Sequence, residues 1–299
     1  MRGSMIKPIY ELLLWNNCNN NCKFCFMKYN HHDNKFLSDD NKLTSMKKAV
    51  QLLESDVYKD GSHVLLVGGE LFDTKFSEQT EQYFKFFLTT IVHYMVSGKI
   101  DLLYVNTNLI YQDLSYLYFF LNLIKDFELF DRLKFTTSYD ICGRFNDSRS
   151  RIIVEGNLSK IVSDFPKIKI VVNMIMTKQF CESVLSNRFN VKQFMEDFKV
   201  NVNTIPYIIL HDYMAATRDQ IYKTLLLLDQ QMPGYLRAYI NNIAIEQDKL
   251  LYEYDGEKYV FMTAKNASCG HNENFHLCTV GKNRCFICDM IEFGEALNV

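Results

Sequence analysis

The sequence predicts an α/β protein, a partial (β/α)6 barrel of TIM-like design, followed by a small C-terminal metal-binding extension. Three observations lead there. Between residues 9 and 230, short apolar runs alternate six times with stretches of helical periodicity. Such alternation forces parallel strands joined by right-handed crossovers. The short runs are continuously apolar, as strands covered by helices are. Polar oddities follow several runs directly, where barrels and doubly wound sheets both place their ligand sites. Periodicity leaves those two designs open; six consecutive units favour the barrel. The expected division is 5–232 for the barrel and 233–299 for the extension.

The elements follow in order. "IYELLLW" (9–15) is rich in aliphatic, aromatic and β-branched residues and reads as strand one. Leu43, Met46, Val50 and Leu53 place a helix at 41–55. "HVLLV" (63–67) is strand two, and Phe84, Phe87, Ile91 and Met95 share one side of a helix at 77–97. "DLLYVN" (101–106) and a helix at 111–126 form the third unit. "LKFTTSYD" (133–140) and 153–164 form the fourth. "KIKIVVNMIM" (167–176) and one helix at 181–198 form the fifth, and "NVNTIPYIIL" (201–210) with 216–230 the sixth. Beyond 235 the pattern changes to two or three strands with a turn at Asp255-Gly256, and a loop-rich tail follows.

Composition narrows the function classes. The 299 residues are 48% hydrophobic, enough for a large core, with only 12 Gly and 4 Pro. With 33 basic and 35 acidic residues the net charge is −2, which argues against a large nucleic acid as partner. The opening "MRGSMIKPIYELLLW" lacks the pattern of a secretory signal, and "MRGS" reads as a leader outside the fold. No apolar run is long enough to span a membrane. A cytoplasmic location, with reduced thiols, is expected.

Seven of the nine cysteines fall into two clusters. Cys18, Cys22 and Cys25 are spaced C-x3-C-x2-C directly after strand one. Three thiolates on one centre leave a coordination position open, and a metal with an open position can take a substrate or cofactor. A structural zinc would need a fourth ligand, for which His31 or His32 is conceivable. The second cluster, Cys269, Cys278, Cys285 and Cys288, is a complete four-thiol set, with His271 and His276 spare. A structural zinc and an iron–sulfur cluster both suit it. Cys142 and Cys181 stand alone and read as small, buried or semi-exposed residues.

The C-x3-C-x2-C spacing, with Phe24 just before the last cysteine, resembles the radical S-adenosylmethionine (SAM) superfamily. "LLVGGELF" adds Gly68, Gly69 and Glu70 after strand two, similar to that family's "GGE". Two glycines permit close backbone approach, and a carboxylate there can accept from an ammonium group. Together the residues at 9–210 carry the resemblance. It implies a [4Fe–4S] cluster on Cys18, Cys22 and Cys25 whose open iron binds SAM, and an enzyme that cleaves SAM reductively to a 5′-deoxyadenosyl radical. That radical would abstract hydrogen from a substrate. The resemblance further implies SAM contacts from Ser138 and Asp140 in "TTSYD", Arg144, Thr107 and Asn108 in "VNTNL", and Asn173, with Tyr207 near the barrel mouth. Cys142 is a remote candidate for a hydrogen-atom donor. An electron donor such as flavodoxin or ferredoxin is implied. The four-cysteine tail is similar to SPASM or twitch extensions, although its cysteine count and spacing match neither. Such extensions accompany peptide or protein modification, with a small metabolite or nucleoside as the alternative substrate. The sequence departs from the family at Leu71, where a proline is usual, and in lacking a glycine-rich segment on strand five. Two other classes compete: a zinc-binding, non-catalytic interaction module, and an iron–sulfur electron carrier without SAM.

Overall fold

The computed structural model of the chain describes residues 7–15, 17–22, 25, 38–73, 75–141, 144–145, 147–206, 216–238, 250–254 and 259–262. Six parallel strands alternate with helices as expected: β1 (Ile9–Leu13), α1 (Asp39–Glu54), β2 (Ser62–Val67), α2 (Glu78–Val96), β3 (Ile100–Thr107), α3 (Ser115–Asp126), β4 (Leu133–Ser138), α4 (Ser148–Asp164), β5 (Ile170–Met176), α5 (Lys178–Leu185), α6 (Val191–Phe198), β6 (Asn201–Pro206) and α7 (Arg218–Gln231). The strands lie in sequence order, each pairing in parallel with the next. This sequential order, with a helix in every crossover, is that of a partial α/β barrel.

Two features differ from the sequence expectation or extend it. The single helix expected at 181–198 is two, α5 and α6. Asn187 adopts φ 57, a left-handed conformation that asparagine tolerates better than most residues. Asn190 then caps α6 by accepting from the Gln193 N–H at 3.0 Å. The apolar spacing runs through the break because both helices pack on the same sheet face. Beyond 235, β7 (Leu250–Tyr254) and β8 (Tyr259–Met262) form an antiparallel hairpin whose β7 pairs in parallel with β1. The hairpin therefore lengthens the barrel sheet on its β1 side.

The helix starts follow local chemistry. Ser38, Asp147, Thr177 and Thr217 each accept from a backbone N–H of the first turn, and Thr217 and Gln220 form a capping box. The expected stripe Phe84, Phe87, Ile91 and Met95 is buried against the sheet. It belongs to a large core between helices and the outer sheet face, with Leu103, Val105, Phe120, Phe135, Val172 and Met174. Phe87 is fully buried. Phe87→Ala should cost about 3–5 kcal/mol by lost transfer energy and cavity formation. A thermal melt should show Tm falling by roughly 10 °C, and a drop of a degree or two would mean the core relaxes around the cavity.

The inner face is different. On β1 and β2 it is apolar, with Ile9, Leu13, Leu65 and Val67 in a small separate cluster. On β3 to β6 it turns polar toward the C-terminal strand ends.

Candidate functional site

The loops after β1, β2, β3 and β4 meet at the C-terminal ends of the strands. The first two are laced by backbone. The Gly69 N–H donates to the Trp15 carbonyl at 2.8 Å and the Glu70 N–H to the Asn17 carbonyl at 2.7 Å. In return the Trp15 indole N–H donates to the Glu70 carbonyl at 2.9 Å. Gly68 is required by this closeness: a Cβ there would lie 2.9 Å from the Trp15 carbonyl oxygen and 3.0 Å from Leu71. Leu71, where the related pattern has proline, is itself buried in the main core.

Glu70 has only 1% of its surface exposed. Its Oε1 accepts from the Phe72 N–H at 3.1 Å and the Thr107 hydroxyl at 2.7 Å, and its Oε2 from the Asn108 N–H at 2.6 Å. Tyr111 Oη lies 2.9 Å from the Thr107 hydroxyl. Burial pushes the carboxyl of Glu70 up to about 7, against the pull of the Asn108, Phe72 and Thr107 donors. The carboxylate thus clamps the loop after β2 to the loop after β3. That second loop is tightly turned. The Ile110 N–H donates to Asn108 Oδ1 at 2.7 Å, and Leu109 takes φ 55, unfavourable for a side chain with a Cβ. Its burial in the core holds Leu109 there.

Cys18, Cys22 and Cys25 lie against this clamp. Cys18 is exposed, Cys22 buried and Cys25 intermediate. Cys25 packs on the inner apolar cluster of β1 and β2, and its N–H donates to the Cys22 carbonyl at 3.3 Å. N–H groups point at two of the sulfurs. Asn108 Nδ2 and the Asn20 backbone N–H each lie 3.4 Å from Cys18 Sγ. Asn20 Nδ2 lies 3.2 Å and Arg144 Nη1 3.5 Å from Cys22 Sγ. Asn19 braces the loop, accepting from Asn108 Nδ2 at 2.7 Å and donating to the Ile110 carbonyl at 2.6 Å. Packed protein around its sulfur pushes the Cys18 thiol up to about 11, and negative charge on Glu70, Cys22 and Cys25 adds to the effect. The surface exposure of Cys18 and this desolvation coexist because the residue opens to solvent on one side only.

Arg144 joins β4 to the cysteine loop. Its Nε donates to Asp140 Oδ2 at 2.6 Å and its carbonyl accepts from Asn20 Nδ2 at 3.1 Å. Asp140 is buried, and Oδ1 accepts from the Ile175 N–H. Burial raises the Asp140 carboxyl, while Arg144 and the Ile175 N–H hold it down. Ser138 ends β4 and pairs in register with Asn173 of β5. Asn173 Oδ1 accepts from Asn203 Nδ2 at 3.2 Å, so Asn173 is engaged with the neighbouring strand.

The structure therefore brings together Cys18, Cys22, Cys25, Gly68, Gly69, Glu70, Thr107, Asn108, Asp140 and Arg144, with Ser138 and Asn173 on the adjoining strand ends. Asn17, Asn19 and Asn20 are additions that motif reading passed over; the signal was the asparagine-rich "NNCNNNC" itself. Asn17 Oδ1 is buried without a hydrogen-bond partner, directly before Cys18. Cys181 is buried in α5. Phe24, His31, His32, Cys142, Tyr207, His271, His276, Cys269, Cys278, Cys285, Cys288 and the Asp255-Gly256 turn lie outside the described residues.

Among the described residues, no three Cys, His, Asp or Glu side chains converge tightly enough for a single metal ion. A tetrahedral zinc would need its sulfurs within about 4 Å of one another. Thiolates of an iron–sulfur cluster sit on separate irons and stand further apart. Among the described residues no helix is long and apolar enough to cross a membrane. Compared with models of known protein families the chain matches none, and no curated protein matches it significantly.

Proposed function

We propose that this chain is a radical SAM enzyme that holds a [4Fe–4S] cluster on Cys18, Cys22 and Cys25. The observation that carries this reading is the set of N–H groups aimed at the sulfurs. Two asparagine amides, one backbone N–H and one guanidinium surround Cys18 and Cys22. Donors of this kind favour a thiolate over a thiol, and N–H groups on cluster sulfurs are among the factors that set cluster potential. Without a metal the Cys18 thiol is held in its neutral form; a coordinated metal deprotonates it outright. The donor set therefore fits the group.

When bound, the cluster with SAM supplies one-electron cleavage of the sulfonium bond and a carbon-centred radical able to abstract hydrogen from a substrate. The chain's own residues position and shield. Gly68 and Gly69 let backbone approach closely, and Glu70 fixes Asn108 beside Cys18. Arg144 supplies a cation next to Cys22, paired with Asp140. Ser138, Asp140, Arg144, Asn108 and Asn173 are the groups proposed to line the SAM site. The substrate is a peptide, protein or small molecule, and the four tail cysteines hold a second iron–sulfur cluster or a zinc. A flavodoxin- or ferredoxin-like protein supplies the electron.

The test is iron, sulfide and zinc content, with EPR, on protein purified and reconstituted without oxygen, with and without SAM. Wild type is compared with the Cys18→Ala/Cys22→Ala/Cys25→Ala variant. About eight irons falling to about four, with a SAM-perturbed signal lost in the variant, is expected if the tail carries a cluster. About four irons falling to near zero, with one zinc retained, supports the same enzyme with a zinc tail. Wild-type protein without iron would sink the proposal.

A further inference from the structure

We infer that Asp39 and Lys42, an ion pair at the start of α1, are positioning residues that pin the outgoing end of the cysteine loop. That loop follows β1, passes Trp15 and enters α1 at Ser38. Its incoming end is held by the segment after β2, where the Gly69 N–H donates to the Trp15 carbonyl and the Glu70 N–H to the Asn17 carbonyl. Its outgoing end is held by the same segment, further along. Asp39 Oδ2 accepts from the Ser77 N–H. The Lys42 ammonium lies 3.5 Å from Asp39 Oδ1 and 5.5 Å from the centroid of the Phe76 ring. Phe76 in turn meets Trp15 edge-on, with ring centroids 5.8 Å apart, so the two anchors are joined by packing. A loop closed at both ends on one short segment has fewer conformations than one tethered at a single end.

Lys42 sits where local rules disfavour it. It is 4% exposed, and lysine is almost never buried unless paired. It also lies at the N-terminal, positive end of α1, where the helix dipole opposes a cation. An apolar side chain of similar length would avoid both costs, and exchanging a buried ion pair for apolar groups is often neutral or stabilising. Stability alone therefore does not account for Lys42. What the ammonium does here is keep Asp39 ionised and oriented. Burial acts to raise the Asp39 carboxyl, but the Ser77 donors and Lys42 outweigh it and hold the group below its ordinary value. An ionised carboxylate accepts from a backbone N–H about twice as strongly as a neutral group does.

The consequence falls on Cys22. It is buried, whereas Cys18 in the same loop is exposed. The burial of Cys22 requires the loop to lie against the strand ends, and both anchors hold it there. With the outgoing end released, the loop lifts and Cys22 opens to solvent, while Cys18 has little cover to lose. In the enzyme proposed above, three sulfurs must keep one geometry to take the cluster, so the same release weakens the hold on iron. That last step rests on the radical SAM reading; the pinning of the loop does not.

Alkylation of the iron-free full chain by iodoacetamide under native conditions, read at each cysteine by mass spectrometry, tests the pinning without the cluster. The rate at Cys22 relative to Cys18 should rise about fivefold or more in Lys42→Met/Asp39→Asn, the loss of roughly one hydrogen bond from a local closing equilibrium. The Tm of that variant should stay close to wild type, because both charges leave together. Ser77→Pro is the second variant and keeps the test decisive should the first not fold. Ser77 has φ −64, which proline accepts, so the change deletes the N–H donated to Asp39 and keeps both charges. The same ratio should rise. A ratio unchanged in a folded variant would overturn the inference. So would a lower Tm with Cys18 and Cys22 accelerating equally, which marks global opening and a merely structural pair. Given iron in wild type, the variants should release it to a chelator about fivefold faster, and unchanged release would overturn the positioning role. A raised ratio beside a wild type that binds no iron would keep the pinning and overturn the radical reading alone.

Discussion

Glu70→Ala is expected to destabilise the chain by about 3–6 kcal/mol. Three donors converge on the carboxylate inside the protein: the N–H groups of Phe72 and Asn108 and the Thr107 hydroxyl. Each buried donor left unmade costs about 1–3 kcal/mol, and Thr107 retains Tyr111 as a partner. Glu70→Gln should lose less, about 1–3 kcal/mol, because one amide oxygen can keep Phe72 and Thr107 while the NH2 group faces the Asn108 N–H. Both variants should release Asn108 from Cys18, so iron retention after reconstitution should fall even where Glu70→Gln remains folded. A folded Glu70→Gln that keeps full iron would show that the clamp does not position the cysteine loop.

The same carboxyl makes a pH prediction of definite sign. Its folded value is raised from 4.5 to about 7. Between those values the folded chain keeps a proton that the unfolded chain has released. Stability from this group is therefore fully present below pH 4.5 and lost as pH rises through 7. The span amounts to roughly 3 kcal/mol. Urea titrations at several pH values should show wild type losing stability relative to Glu70→Gln across this window, and parallel profiles would contradict the assignment.

The second large effect is expected at Arg144. Asp140 is 2% exposed and its Oδ2 relies on the Arg144 guanidinium. Arg144→Met strands a buried carboxylate and should cost about 3–5 kcal/mol. Adding Asp140→Asn removes the stranded charge, so the double variant should be more stable than Arg144→Met alone, a coupling that a double-mutant cycle measures. In iron-loaded protein, losing a cation and an N–H beside Cys22 should move the cluster to a more negative potential. A potential unchanged in Arg144→Met would mean that the guanidinium serves only Asp140.

Much of the fold was legible because its signals are local. Helical spacing at Phe84, Phe87, Ile91 and Met95 announces both the helix and its buried face, and six apolar runs between such helices leave little choice but a parallel sheet. The break between α5 and α6 was not legible, since the apolar spacing continues across Asn187 and Asn190 while the backbone does not. Nor was the pairing of β7 with β1, which depends on a surface assembled far away in the chain.

At the site the division has the same cause. Read along the chain, three thiols share one loop after β1, two glycines and a glutamate follow β2, and an α/β core of six units carries them. These are statements about neighbours in the chain. The folding of distant segments onto one another decided that Glu70 turns inward to hold Asn108, that Asn108 reaches Cys18 across 90 residues, and that Arg144 reaches Cys22 across 122. It likewise decided that Asp39 and Lys42 meet Ser77 and Phe76. A hydrogen bond requires donor and acceptor within about 3 Å. Sequence period says which way a side chain points within its strand. Which distant side chain it meets follows from strand order and register, and those are settled by the packing of the whole sheet.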